Sequence, residues 1–247
     1  MKRWQLIAAG TFMYLLLLIV LAPASMVDAV LKRASEGRLR IADTRGSLWS
    51  GSGQLQILDA THQAGMTKNI VWQLQPAFLL RGHLACEIEL DSNAKRFTVT
   101  VSRASIELAD ADIGVPAAIL GIASPQLAPF GIGGDLIVHV ANLMVGNGHV
   151  QANGTVVWRA ASSVLTRVSP LGDYELRFAQ SGAVMTTVLR TLDGPLQIDG
   201  SGSWQQGARP AFDATARVSP QHREQLEPLL RMISVERGAG NYEFKLQ

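Results

Sequence analysis

From residue 38 to the C-terminus the dominant pattern is an alternation of apolar and polar residues, and that period of two limits what this chain can fold into more than any other property. Successive side chains of an extended strand point to opposite faces, so alternation of this kind predicts strands buried on one face only. Leu39 and Ile41 open the series, and Leu55 and Ile57 come next. Ile70, Trp72 and Leu74 form a third segment, and Leu84, Cys86, Ile88 and Leu90 a fourth. The second half continues with Leu136, Val138 and Val140, then Val150, Ala152, Val156 and Trp158, then Tyr174, Leu176 and Phe178. Leu196 and Ile198, then Phe212, Ala214, Ala216 and Val218, and finally Tyr242, Phe244 and Leu246 complete it. Ten or more strands are expected.

The stretch from Lys95 to Leu108 keeps one phase through Phe97, Val99 and Val101 and the other through Ala104, Ile106 and Leu108. It must change face near Arg103, by a bulge or a sharp bend. Gly146-Asn147-Gly148, Asp193-Gly194 and Asp199-Gly200 carry hairpin chemistry, which favours antiparallel meanders. Helical signal is sparse. Asp112 to Gly121 could hold one or two turns around Pro116. Ser219 to Ile233 is the better case, with Ser219 as N-cap, Pro220 at the first position and Leu226, Leu229, Leu230 and Ile233 on one stripe. Pro228 inside that stripe predicts a kink or two short helices. A sheet with one apolar face must cover it by curling, by stacking or with helices. The expected fold is therefore mainly β, a curved antiparallel sheet as a half-barrel or a sandwich, with one or two short helices.

Ahead of the sheet, Gln5 to Ala22 carries no formal charge, and its apolar residues Leu6, Ile7, Leu15, Leu16, Leu17, Leu18, Ile19, Val20 and Leu21 make it a candidate transmembrane anchor. At about 1.5 Å per helical residue it is just long enough for a hydrocarbon core of about 30 Å. Lys2 and Arg3 precede it, so the positive-inside bias places the N-terminus in the cytoplasm and the rest of the chain across the membrane. A cleaved signal peptide competes, with Ala22-Pro23-Ala24 as a small-x-small site. Pro23 and the length of the run favour a retained anchor, and both readings export the domain. Met26, Val27, Val30, Leu31 and Ala34 recur at helical spacing, which suggests a short amphipathic helix, with a solvated stalk as the alternative. The resulting division is 1–24 as cytoplasmic tip and anchor, 25–37 as amphipathic stalk, and 38–247 as one exported β-rich domain.

Chemistry is hard to find in this sequence. Lys2 and Arg3 account for the net charge of +2, so the chain beyond them is formally neutral and no nucleic-acid partner is expected. The single cysteine, Cys86, excludes an intrachain disulfide and falls on an apolar phase as a buried residue would. No G-x-S-x-G, H-E-x-x-H, G-x-x-x-x-G-K or G-x-G-x-x-G motif occurs. His62, His83, His139, His149, His222 and Cys86 do not assemble into a set at zinc-ligand spacing, so no metal or cofactor is expected. Glu87 and Glu89 share a strand face as a polar exterior does. Trp49, Trp72, Trp158 and Trp204 close or punctuate strands, as core anchors or as an exposed binding rim. The chain is read as no enzyme, with no catalytic residue to name.

The succession Gly46-Ser47-Leu48-Trp49-Ser50-Gly51, then Trp72-Gln73-Leu74-Gln75-Pro76, then Leu79-Leu80-Arg81-Gly82-His83-Leu84 resembles the type II secretion system protein N family, also called general secretion pathway protein N. Gly200-Ser201-Gly202-Ser203-Trp204, then Arg209-Pro210-Ala211-Phe212, then Leu226-Glu227-Pro228-Leu229-Leu230, then Gly240-Asn241-Tyr242 is similar to the end of the same family and to AsmA-like envelope proteins. The resemblance implies a single-pass inner-membrane protein with a periplasmic domain, working in the export of folded proteins across the outer membrane. Its implied partners are other secretion subunits, including the inner-membrane platform and the outer-membrane secretin. The AsmA-like resemblance implies an alternative, a binder or carrier of lipid. The motif residues Gly46, Leu48, Trp49, Gly51, Trp72, Pro76, Gly82, Gly200, Trp204, Pro210, Leu229, Leu230 and Tyr242 carry architecture or docking rather than catalysis.

Overall fold

A computed structural model describes residues 3–58, 64–76, 82–91, 95–124, 126–146, 149–205, 208–209, 211–233, 235–238 and 241–246. The chain falls into two compact units, Met1–Arg103 and Ala104–Gln247. The boundary lies where the alternation changes face. Strand β5 ends at Val101 and β6 begins at Ser105, so a break in the strand, rather than a bulge within it, reverses the phase.

The first unit opens with two helices, α1 (Arg3–Val20) and α2 (Ser25–Ala34). An antiparallel meander comes after them: β1 (Leu39–Gly46), β2 (Ser50–Leu58), β3 (Ala64–Gln75), β4 (Leu84–Leu90) and β5 (Phe97–Val101), each paired with the next. The expected phases hold on the inner face. Ile41, Ile70 and Trp72 are buried together with Ala24, and Leu55, Cys86, Ile88 and Leu90 pack around them. The cover of that face is α2, which contributes Val27 and Leu31.

The stretch expected to cross from Gln5 to Ala22 forms helix α1 over Arg3–Val20, 18 residues that take in Arg3, and the Leu21 amide still bonds the Leu17 carbonyl at 2.9 Å beyond it. Among the described residues no helix is long and apolar enough to cross a membrane.

The second unit carries β6 (Ser105–Pro116), α3 (Ile119–Ala123), β7 (Gly133–Gly146), β8 (His149–Ser162), β9 (Gly172–Ser181) and β10 (Val184–Asp193). Beyond them lie β11 (Leu196–Gln205), β12 (Ala211–Val218), α4 (Arg223–Ile233), β13 (Val235–Gly238) and β14 (Asn241–Leu246). Neighbours from β6 to β12 pair antiparallel, and β14 then inserts between β12 and β13. In neither unit do the strands split into two hydrogen-bonded sheets, so the sandwich gives way to a single open layer within each.

Three local expectations change. Pro116 ends a strand rather than centring a helix, and the short helix comes after it at Ile119–Ala123. Asp199-Gly200 makes no turn and lies inside β11, because the Phe212 ring and the Ala214 methyl group fill the space beside Gly200 and Gly202. The helical segment after Ser219 does divide, but at His222/Arg223, where a 3-10 turn meets α4, and Pro228 is absorbed within the helix. On α4, Leu226 and Leu230 are fully buried against Val168, Leu171, Leu196, Ala216, Val218 and Tyr242.

Candidate functional site

No set of reactive groups converges in the described residues, and the best-built feature is a junction of backbone and tryptophan in the first unit. Its origin is the turn between β1 and β2. Gly46 takes φ +94°, a conformation that a side chain would strain, and the Ser47 hydroxyl accepts a hydrogen bond from the Ser50 amide at 3.2 Å. The register slips between Ala42 and Arg45, with Asp43 at φ +51°, and this re-aims the strand end. The Gly46 carbonyl thereby receives the Ala24 amide at 3.4 Å.

Leu48 and Trp49 then lock three elements together. The Leu48 amide donates to the Ala22 carbonyl at 2.8 Å, and the Trp49 indole N–H donates to the Ile19 carbonyl in the last turn of α1 at 3.0 Å. From the other side, the Trp72 indole donates to the Leu48 carbonyl at 3.2 Å, and the Leu74 amide donates to the Trp49 carbonyl at 2.7 Å. Gly51 is required because the Trp72 ring occupies the place a Cβ would take. The motif residues Gly46, Leu48, Trp49, Gly51 and Trp72 thus form one interlock that holds the end of α1 against β3.

Helix α2 closes the outer edge of β1. Its Asp28 carboxylate accepts the Ile41 amide at 2.7 Å, and the hydroxyl of Ser35, just past the helix, accepts the Leu39 amide at 3.0 Å. Residues 39 and 41 would otherwise present open donors to any passing strand.

The remaining motif residues serve the fold in scattered places. Pro76 is exposed just after β3, and Gly82, exposed in a turn at φ +76°, is there for its backbone. Gly200 receives the Phe212 ring, Tyr242 is buried at 1% exposure, and Leu230 anchors α4. Trp204 is 45% exposed and borders an open depression of about 480 Å³ with Met185, Val150 and His149. Pro210, Leu79, Leu80, Arg81, Gly240 and the side chain of Leu229 lie outside the described residues. Trp158 donates its indole N–H to the Gly133 carbonyl at 3.0 Å and tilts against Tyr174 with ring centroids 6.0 Å apart. Among the tryptophans, Trp72 and Trp158 therefore act as anchors and Trp204 as a rim.

Several titratable groups are paired locally. Glu87 accepts from the Gln75 amide and Glu89 from the Arg96 guanidinium, which makes them a paired polar exterior. Burial pushes the Cys86 thiol above its ordinary pKa, so it is a poor nucleophile. His139 pairs with Asp112 at 2.6 Å, both half-exposed. Burial would raise the Glu175 carboxyl, but the hydrogen bonds from Arg190 and Arg177 outweigh it and hold the group below the usual range. No group of three potential metal ligands occurs among the described residues.

Two sequence features went unread. Strand β10 carries Val188 and Leu192 on the exposed side, so its apolar residues do not alternate cleanly. The turn that precedes it, Gly182-Ala183, had a signal in Gly182, which takes φ +63°.

Against known proteins, the family model for type II secretion system (T2SS), protein N matches residues 37–245, nearly the whole run of strands. No curated protein and no solved structure matches the chain significantly.

Proposed function

Because the chain belongs to the type II secretion system protein N family, and is thus a component of that protein-secretion apparatus, we propose that it works as a tethered docking scaffold rather than an enzyme. In this reading α1 is a single-pass inner-membrane anchor with its basic tip in the cytoplasm, and the β-rich units stand in the periplasm. The family match over residues 37–245 carries the proposal. The apolar side chains of α1 support the anchor, since Ile7, Phe12, Met13, Leu18 and Ile19 are all left exposed by the rest of the unit. Partners would be the inner-membrane platform and the outer-membrane secretin, met through sheet edges or exposed apolar surface. Because α2 already occupies the outer donors of β1, the docking edge would lie elsewhere. Affinity capture of the intact chain from detergent-solubilised envelopes should retain platform or secretin subunits, and capture that retains neither would overturn the proposal.

A second reading, lipid binding in the AsmA-like manner, is favoured by one observation in the second unit. Val138, Val156, Leu176 and Phe178 continue the apolar phase across β7 to β9 and are only half-buried, while α4 packs around the β11, β12 and β14 end. A half-covered apolar face of this kind can take an acyl chain. Native mass spectrometry of gently purified protein should show bound phospholipid; delipidated mass under all mild conditions would exclude it.

A further inference from the structure

The length of α1 and the interlock at its end, taken together, bear on the membrane itself. From Trp4 to Val20 the uncharged part of the helix rises roughly 25 Å at about 1.5 Å per residue, about 5 Å short of a hydrocarbon layer of about 30 Å. A short span is accommodated by thinning the bilayer or by drawing flanking groups inward. The groups flanking α1 are fixed by hydrogen bonds rather than by a flexible linker. The Leu48 amide holds the Ala22 carbonyl, the Gly46 carbonyl holds Ala24, and the Trp49 indole reaches Ile19 inside the last helical turn. Wherever the end of α1 sits, residues 46 to 50 sit beside it.

We infer that the β1–β2 turn, Gly46–Ser50, is a second membrane contact, seated in the lipid headgroup layer on the exported side with Trp49 as its interfacial residue. The inference rests on the reading of α1 as an anchor. The composition of the turn suits the place. Leu21, 68% exposed, and Leu48 and Trp49, both half-buried, extend the apolar surface beyond the helix end. Trp49 is of the residue type enriched at the boundary between acyl chains and headgroups, and its indole N–H, bonded to the Ile19 carbonyl, fixes the ring beside the helix end. Arg45, exposed on the same strand end, can meet lipid phosphate. The anchor is then composite: an undersized helix completed by a hairpin tip that it cannot leave behind. The far end of β1 lies away from the bilayer, since α2 runs back along the strand from Ala24 beside Gly46 to Ser35 beside Leu39.

Spin labels at three single cysteines of the full chain in lipid nanodiscs, in a Cys86→Ala background, test this. Phe12→Cys reports on α1, Ser50→Cys on the turn, and Arg38→Cys on the far end of β1. Collision with a water-soluble nickel relaxer is expected to be several-fold lower at position 50 than at 38, and lowest at 12. A protected position 12 with equal, high collision rates at 50 and 38 would overturn the inference and leave the anchor standing. High collision rates at all three would overturn both.

Discussion

The two units treat the same alternating pattern in different ways. In the first, α2 lies along β1, packs Val27 and Leu31 on the apolar face around Ile41, Ile70 and Trp72, and, with Ser35 just past its end, occupies two outward amides of the edge strand through Asp28 and Ser35. In the second, α4 buries Leu226 and Leu230 around Tyr242, while along β7 to β9 Leu136, Val140, Ala152 and Tyr174 are buried and Val138, Val156, Leu176 and Phe178 stay half-buried. Alternation therefore specifies which side chains share a face and says nothing of how well that face is covered. Coverage depends on where a short helix lands, and the uncovered part is where docking or lipid would be sought.

The largest expected effects come from the sealed places. Trp72→Ala removes the ring that fills the interlock and the first core, and should destabilise the first unit by about 3–5 kcal/mol in chemical denaturation. Leu226→Ala should cost the second unit about 2–5 kcal/mol, since the side chain is fully buried. An equal response of both units to either change would break the separation between them. Asp28→Ala is a smaller change that leaves the Ile41 amide without its partner, for a loss of about 1–3 kcal/mol, and it also opens the edge. Concentration-dependent association of this variant, read by light scattering, should exceed that of the parent.

Leu176→Asn probes the half-covered face, where the change should weaken lipid retention in native mass spectra more than it weakens folding. The smallest effect concerns pH. Glu175 has a depressed carboxyl in the folded state, so its contribution is complete above the usual carboxylate range and is lost as pH falls through the folded value. Glu175→Gln should flatten the acid limb of the stability profile of the second unit and leave the neutral limb level apart from a constant offset.

Most of the architecture was legible because packing on one face leaves a periodic trace. Ile41, Ile70, Trp72, Leu136, Tyr174, Leu196 and Ala216 are all buried where their phase put them. The misses share a cause, the competition of tertiary contact with local preference. Asp199-Gly200 reads as a turn until Phe212 is known to need the space beside Gly200. Val188 and Leu192 disguise β10 by placing apolar residues on the exposed face. The candidate site was half legible: the tryptophans and glycines stood out, but the bond from Trp49 to Ile19 joins residues thirty positions apart and leaves no periodicity to read.

The most direct measurement is the side of the membrane on which the sheets fold. A phosphatase that is active only in the periplasm, fused after residue 247, should be active and should remain with the membrane fraction after high-salt and carbonate washes. An inactive fusion, together with a fluorescent cytoplasmic reporter at the same position, would contradict the tethered periplasmic scaffold.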